Sequence, residues 1–201
     1  MSKQQWDLRY SAEEYIYGTE PNTYLKETLI KLSPGRILFP AEGEGRNAVF
    51  AATAGWQVDA FDQSEAGRQK ALKLAALKSV KFNYIISSIE DWQAGEERYD
   101  CIVLIFVHMP PEMRMTFHAK MIAALKPGGV IVFEAFSKKQ LPRESGGPKD
   151  PDLLYDADDI RNDFAALDIL DFAATRVNLE EGRLHKGLAE VVRLTAKKHL
   201  R

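Results

Sequence analysis

The chain has little of what staples small proteins together. It carries one cysteine, Cys101, and four histidines in 201 residues. A single cysteine excludes an intramolecular disulfide framework and any multi-cysteine zinc site. Cys101 lies in the apolar run from Tyr99 to Phe106 and reads as a buried structural thiol. The histidines have no metal-ligand spacing, so no metal is expected. No apolar run approaches the roughly 20 residues that span a bilayer, and no membrane partner is expected. The first ten residues, MSKQQWDLRY, lack the apolar stretch of a secretory signal, so a cytoplasmic location is the expectation. Neither sign of charge dominates: 27 Lys and Arg face 29 Asp and Glu, a net charge of −2. Nucleic-acid binders usually carry a basic excess, and no nucleic-acid partner is expected.

What is present is enough apolar material for one sizeable core, 45% of the residues. The expectation is a single domain over 1–201, with N-terminal lid helices in 1–34 and an α/β core in 35–201. The order of elements carries the fold. Ser11 with Glu14 has capping-box spacing and predicts a short helix ending before Gly18. Asn22 predicts the N-cap of a second helix running to Leu32. Strands are expected at 36–40, 57–62, 82–87, 101–106 and 130–136, with helices after Arg46, over Glu65–Leu77 and from Pro111 to Lys126. Strict alternation of strand and helix predicts parallel pairing through right-handed crossovers. After a helix near 157–167, two β-rich runs, 169–178 and 188–196, flank the turn-like Glu180-Glu181-Gly182-Arg183. They predict an antiparallel hairpin at the end of a mostly parallel seven-stranded sheet. The polar stretch 137–155 is the one long loop, and loops of that length are usually functional or disordered.

The segment PAEGEGRNA, 40–48, joins the first strand to the next helix. In a parallel sheet, ligands bind beyond the carboxyl ends of the strands. Gly43 and Gly45 let a ligand approach the backbone, and the helix N-terminus favours negative charge. Asp62 ends the next strand, where a carboxylate can accept two hydrogen bonds from a ribose diol. Turn, acid and element order together describe an adenosine site. The bland alternative is a tight turn and a helix cap. Gly43, Gly45 and Ala48 also satisfy a relaxed dinucleotide fingerprint. The extra helical material before the first strand and the terminal hairpin weigh against a nicotinamide enzyme.

The segments WDLRY, YIYGTEPNTYL, the glycine turn with Arg46-Asn47, VDAFDQS, YDCIVLIFVHM and LKPGGVIVFEAF resemble class I S-adenosylmethionine-dependent methyltransferases. Within that class they resemble the tellurite-resistance and thiopurine methyltransferase-like branch. The resemblance runs from about Trp6 to Lys197. It implies a Rossmann-like three-layer sandwich, S-adenosylmethionine as methyl donor and a small-molecule acceptor. Carried over by position, it implies donor-binding roles for Tyr17, Ala41, Glu42, Gly43, Gly45, Arg46, Asn47, Asp62, Gln63, Ser88, Ile89 and Phe106. Phe39 stands where the class has an acid, and Ala41 where it has its first glycine. Glu42 or Glu44 can substitute for that acid or simply be solvated. Ile89 can pack on an adenine, and Ser88 can bond its amino group.

Methyl transfer from a sulfonium needs alignment and exclusion of water more than a dedicated base, so the absence of a catalytic triad is expected. The positive sulfur favours aromatic faces, which makes Tyr10, Tyr15, Tyr17 and Phe106 candidates. His108 directly follows the fourth strand and can position or deprotonate an acceptor; otherwise it only orders the loop before Pro110-Pro111. His118 and His185 read as structural or solvated. Two further readings stay open: a non-catalytic S-adenosylmethionine or adenosine-ligand module, and a nicotinamide-dependent reductase. The acceptor and the oligomeric state are not legible.

Overall fold

The computed structural model describes residues 2–93 and 95–200. Seven strands and six α-helices alternate through most of the chain. The helices are α1 (Lys3–Tyr10), α2 (Thr23–Leu29), α3 (Arg46–Thr53), α4 (Glu65–Leu77), α5 (Pro111–Ala124) and α6 (Ala157–Asp163). The strands are β1 (Arg36–Pro40), β2 (Gln57–Asp62), β3 (Asn83–Ile86), β4 (Tyr99–Ile105), β5 (Leu125–Phe136), β6 (Asp168–Glu181) and β7 (His185–Lys197). Their order in the sheet is β3-β2-β1-β4-β5-β7-β6. The expected mostly parallel sheet with a hairpin appended is therefore corrected to a mixed sheet. β7 lies antiparallel to β5, between β5 and β6. The short connection Gly182–Leu184 brings the last strand back inside the sheet rather than along its edge.

The chain forms two compact units, residues 2–93 with 181–184, and 95–180 with 185–200. In the first, β1, β2 and β3 pair in parallel. α4 is rich in Ala, Leu and Lys, which form helices readily. Ser64 caps it by accepting from the Gly67 N–H. Val49 of α3 packs with Leu74 and Ala75 of α4, flanked by Tyr15, Val80 and Phe82. The first helix differs from its predicted place. Ser2 and Gln5 form the capping box of α1, whereas Ser11 follows the helix and its hydroxyl donates to the Leu8 carbonyl. With the helix upstream, Trp6 and Tyr10 stack on each other and Asp7 meets Ser64. Asn22 caps α2 as expected, through the Leu25 N–H, but the helix stops at Leu29.

In the second unit, β4 pairs in parallel with β5. Both are buried along most of their length, as their unbroken apolarity predicts. Cys101 is fully buried, and burial pushes its thiol far up. β5 carries one charge into this interior, Glu134. Its register partner across the strand pair is Arg193, which donates to it. A buried acid opposite an arginine penalises any slipped register. The stretch 137–155 is not free. It contains two short 3-10 turns, and its ends meet where Ser137 bridges Tyr155. Its middle is tied to β7: Ser145 donates to the Leu188 carbonyl, and the Gln140 amide donates to Ser145 and to the Gly146 carbonyl. Arg143 reaches Glu190 of β7 at 2.5 Å. No helix among the described residues is long and apolar enough to cross a membrane.

Candidate active site

The glycine turn follows β1 with three left-handed residues: Ala41 at φ 50°, Gly43 at 62° and Gly45 at 85°. Glycine takes this conformation freely. At Ala41 the Cβ makes it costly, by about 1 kcal/mol. The turn thus keeps the shape of a three-glycine turn with one glycine replaced. Gly43 and Gly45 also answer to packing. A Cβ on Gly43 would lie 2.6 Å from the Tyr10 hydroxyl, and one on Gly45 would lie 2.4 Å from the Ala71 Cβ. Tyr84 donates to the Gly43 carbonyl at 2.7 Å.

The two glutamates of the turn have different tasks. Glu42 accepts from the Ala48 N–H at 2.7 Å, so it caps α3 in place of a side chain at Gly45. Burial pushes its carboxyl up to about 8, against that hydrogen bond. Glu44 is buried, accepts from the backbone N–H groups of Ile16 and Tyr17, and pairs with Lys70 at 2.6 Å. Neither is merely solvated.

Asp62 ends β2 and turns back onto the glycine turn. One oxygen accepts from the Gly43 N–H at 3.0 Å, the other from the Ser64 N–H at 2.8 Å. Burial raises its pKa to about 6 despite the backbone hydrogen bonds that favour the charged form. A third backbone bond comes from Gln63, so of the carboxylate's four acceptor sites one is left over.

α1 and the segment after it cover this turn. Asp7 accepts from Ser64 and from the Ala66 N–H at the start of α4, where the helix dipole favours an anion. Tyr10 is buried, stacks on Trp6, and meets Tyr17 edge-on at 6.5 Å between centroids. Burial, with the Asp62 charge adding, pushes the Tyr10 hydroxyl far up, so it stays neutral. Tyr17 accepts from Arg9 at 3.0 Å. Arg46 and Asn47 face this segment: Arg46 pairs with Glu181 at 2.8 Å and donates to the Tyr17 carbonyl, and Asn47 accepts from the Asn22 N–H. Gln63 is half-buried beside Asp62. Ser88 donates to Asp91 and accepts from its N–H, while Ile89 is half-buried. Trp92 stacks on Phe61 at 4.7 Å. Tyr17, Ala41–Asn47, Asp62 and Gln63 are thus close neighbours, and Ser88 and Ile89 follow β3.

Phe106 and His108 belong to an aromatic cluster in the second unit. Phe106 leaves β4 at φ 54°, a strain of roughly 1–3 kcal/mol for a non-glycine residue. Its ring stacks on Phe136 at 4.6 Å and meets His185 edge-on at 4.6 Å. His108 lies between Phe136 and Tyr155. Its Nδ1 is 2.7 Å from the Leu153 carbonyl. Burial pushes its pKa down to about 4. His185 is buried here rather than solvated. Sequence reasoning missed it because β7 returns it to this cluster from 77 positions beyond His108. Tyr155 was missed too, as part of an expected loop. His118 is structural as expected, paired with Asp163 at 2.8 Å between α5 and α6. Among the described residues no group of three or more His, Cys, Asp or Glu can hold a metal.

Residues 37–129, just under half of the chain, match the family described as a methyltransferase domain. The Rossmann-like α/β fold is shared with solved S-adenosylmethionine-dependent methyltransferases. The N-methyltransferase NodS from Bradyrhizobium japonicum WM9, solved with S-adenosyl-L-homocysteine, has a TM-score of 0.74 at 13% identity. That match covers 98% of this chain and 97% of NodS. TehB from Haemophilus influenzae matches at TM-score 0.74 and 15% identity, covering 98% of this chain and 66% of TehB. The [4+2]-cyclase SpnF matches at TM-score 0.73 and 16% identity, covering 99% of this chain and 95% of SpnF. No curated protein sequence matches.

The residues of the first unit fit such a methyl donor. Asp62 has acceptor capacity left for a ligand hydroxyl, and the aromatic pair Tyr10 and Tyr17 lies over the same turn. Glu42 and Glu44 are already engaged, one by the Ala48 N–H and the other by Ile16, Tyr17 and Lys70.

Proposed function

We propose that this protein transfers a methyl group from S-adenosylmethionine to a small-molecule acceptor, in the tellurite-resistance and thiopurine methyltransferase-like branch. The observation that carries the reading is Asp62. It is a buried carboxylate at the end of β2, aimed at a left-handed glycine turn, with acceptor capacity left over. The family match over 37–129 and the covering N-terminal segment with Tyr10 and Tyr17 support it. The donor supplies an electrophilic methyl on a good leaving group. The protein holds the donor at Asp62, the turn and Gln63, Ser88 and Ile89, and excludes water with α1. Calorimetry with S-adenosylhomocysteine and NAD tests this: the first should bind and NAD should not. Binding of NAD alone would overturn the reading. A second reading, a non-catalytic module for the same ligand, is favoured by Phe39, fully buried where the class has an acid. It predicts tight S-adenosylhomocysteine binding with no methylated product from any acceptor.

Asp62→Ala should weaken S-adenosylhomocysteine binding by about 1.5–3 kcal/mol, the range for hydrogen bonds to a charged group. Unchanged affinity would reduce Asp62 to a cap. The pH dependence has a definite sign. Asp62 titrates near 6 in the folded protein, above its ordinary value. Affinity should therefore fall as pH drops through about 6, and Asp62→Asn should flatten that profile. The stability of the free protein runs the other way. A raised folded-state pKa contributes stability below the ordinary carboxylate range, and this is lost as pH rises through 6. Ligand-induced shifts in Tm should thus grow from pH 5 to pH 7.

A further inference from the structure

We propose that the outer edge of β6 pairs with β6 of a second copy of this chain. The two strands run antiparallel across a two-fold axis that passes through Phe172, and the two sheets become one.

β6 ends the sheet, so one of its sides has no strand beside it. It runs for 14 residues, Asp168–Glu181, where a strand usually has about five or six. An edge of that length is a row of backbone donors and acceptors open to another chain. Proteins blunt such edges with lysine, proline, bulges or brevity. β3, at the opposite end of the strand order, is blunted by brevity, with four residues. β6 has no such protection in its residues: DILDFAATRVNLEE contains no lysine, proline or glycine. Of its side chains only Leu179 is buried. Apolar side chains stand out on both faces, Leu170 at 58% exposed on one and Ile169 at 37% on the other. Phe172 shares the face of Leu170, half-buried beneath the Arg161 guanidinium at 4.3 Å.

The charges along the strand select a second copy, and one register of it. A two-fold axis normal to the sheet leaves every side chain on its own face, so residues that meet are an even number of positions apart. Among centres from 171 to 176, the first sets Asp171 against itself and the last sets Arg176 against itself. A centre at 174 sets Asp168 against Glu180. Centres at 173 and 175 place every charge of the strand opposite an uncharged residue. The centre at 172 alone sets Arg176 opposite Asp168, and symmetry gives that pair twice. Opposite charges across a strand pair stabilise it, and like charges oppose it. The same register puts Leu170 opposite Ala174 on either side of the paired Phe172 rings, and Ile169 opposite Thr175. Both charged groups are within reach of a partner. Arg176 is 67% exposed while its Nε holds Glu190, and Asp168 is 58% exposed beside His199. A guanidinium has further N–H donors and a carboxylate further lone pairs for a second partner.

The test is sedimentation of the intact protein over micromolar to millimolar concentrations, where a dimer is expected. Arg176→Asp sets acid against acid at both ends of the pair, and Asp168→Arg sets arginine against arginine. Each should weaken the dimer about tenfold or more. The exchange variant with both changes restores opposite charges and should dimerise again, a recovery that a misfolded strand could not give. Introduced thiols report the register. Cys101 is the chain's one cysteine and is fully buried. Phe172→Cys brings a thiol opposite its own copy and should give a disulfide-linked dimer under mild oxidation. Ala173→Cys and Ala174→Cys should not, since each meets its copy only in another register. A protein monomeric throughout overturns the proposal and leaves the edge to a strand of another protein. A dimer indifferent to both charge reversals overturns it too, as does one that cross-links through 173 or 174 and not through 172.

Discussion

Glu44→Ala should lower the unfolding free energy by about 3–5 kcal/mol, the usual cost of breaking a buried ion pair from one side. Glu44 is 4% exposed and joins three parts of the first unit. It accepts from Ile16 and Tyr17 in the N-terminal segment and pairs with Lys70 of α4. Alanine removes the acceptor of the buried Ile16 N–H and of the Tyr17 N–H, and leaves an ammonium, itself only 13% exposed, without its carboxylate. Glu44→Gln keeps an acceptor for the N–H groups and should lose less. Urea denaturation of the two variants separates these contributions. Equal, small losses would mean that Glu44 is not the clamp. The same geometry predicts that removing residues 2–21 destabilises the fold as well as opening the site, because Glu44 and Arg46 would both lose partners in that segment.

Gly43→Val should abolish detectable S-adenosylhomocysteine binding and cost roughly 2–5 kcal/mol of stability, from left-handed strain together with overpacking. The backbone stands at φ 62°, and the new Cβ would fall 2.6 Å from the Tyr10 hydroxyl. Tyr10 can move only by unstacking from Trp6 and shifting α1. Calorimetry read beside a thermal melt checks both effects. A variant that binds normally would show that the ligand lies away from this turn.

How much of this was legible differs by element. β1, β2 and α4 fall where alternation and capping predict, because each is specified by its own residues. The place of β7 was not, because a hairpin signal says which strands are joined and not which of them meets the sheet. What decides it is Glu134 facing Arg193, a pair separated by 59 positions. In the site, Asp62 and the turn could be read because their spacing is local. The tasks of Glu42 and Glu44 could not. Two neighbouring acids look alike in sequence, yet one faces the start of α3 and the other the chain at Ile16. His185 and Tyr155 carried no local signal at all, and only the returning strand and the pinned loop bring them to His108.

The tip of the last hairpin has a consequence for how the chain emerges from the ribosome. Glu181 pairs with Arg46 across 135 positions and accepts from Asn22 across 159. Arg183 and Leu184 donate to the Ile16 carbonyl. The N-terminal segment thus has docking partners that are translated well over a hundred residues later. Contacts of such separation slow folding, since long loops must close before they stabilise anything. At ~5–20 residues per second, the 135 positions between Arg46 and Glu181 leave the arginine without its carboxylate for about 7–27 s. The contacts that hold Arg46, Asn22 and Ile16 therefore form only after Glu181–Leu184 have been translated, and the glycine turn stays unbraced until then.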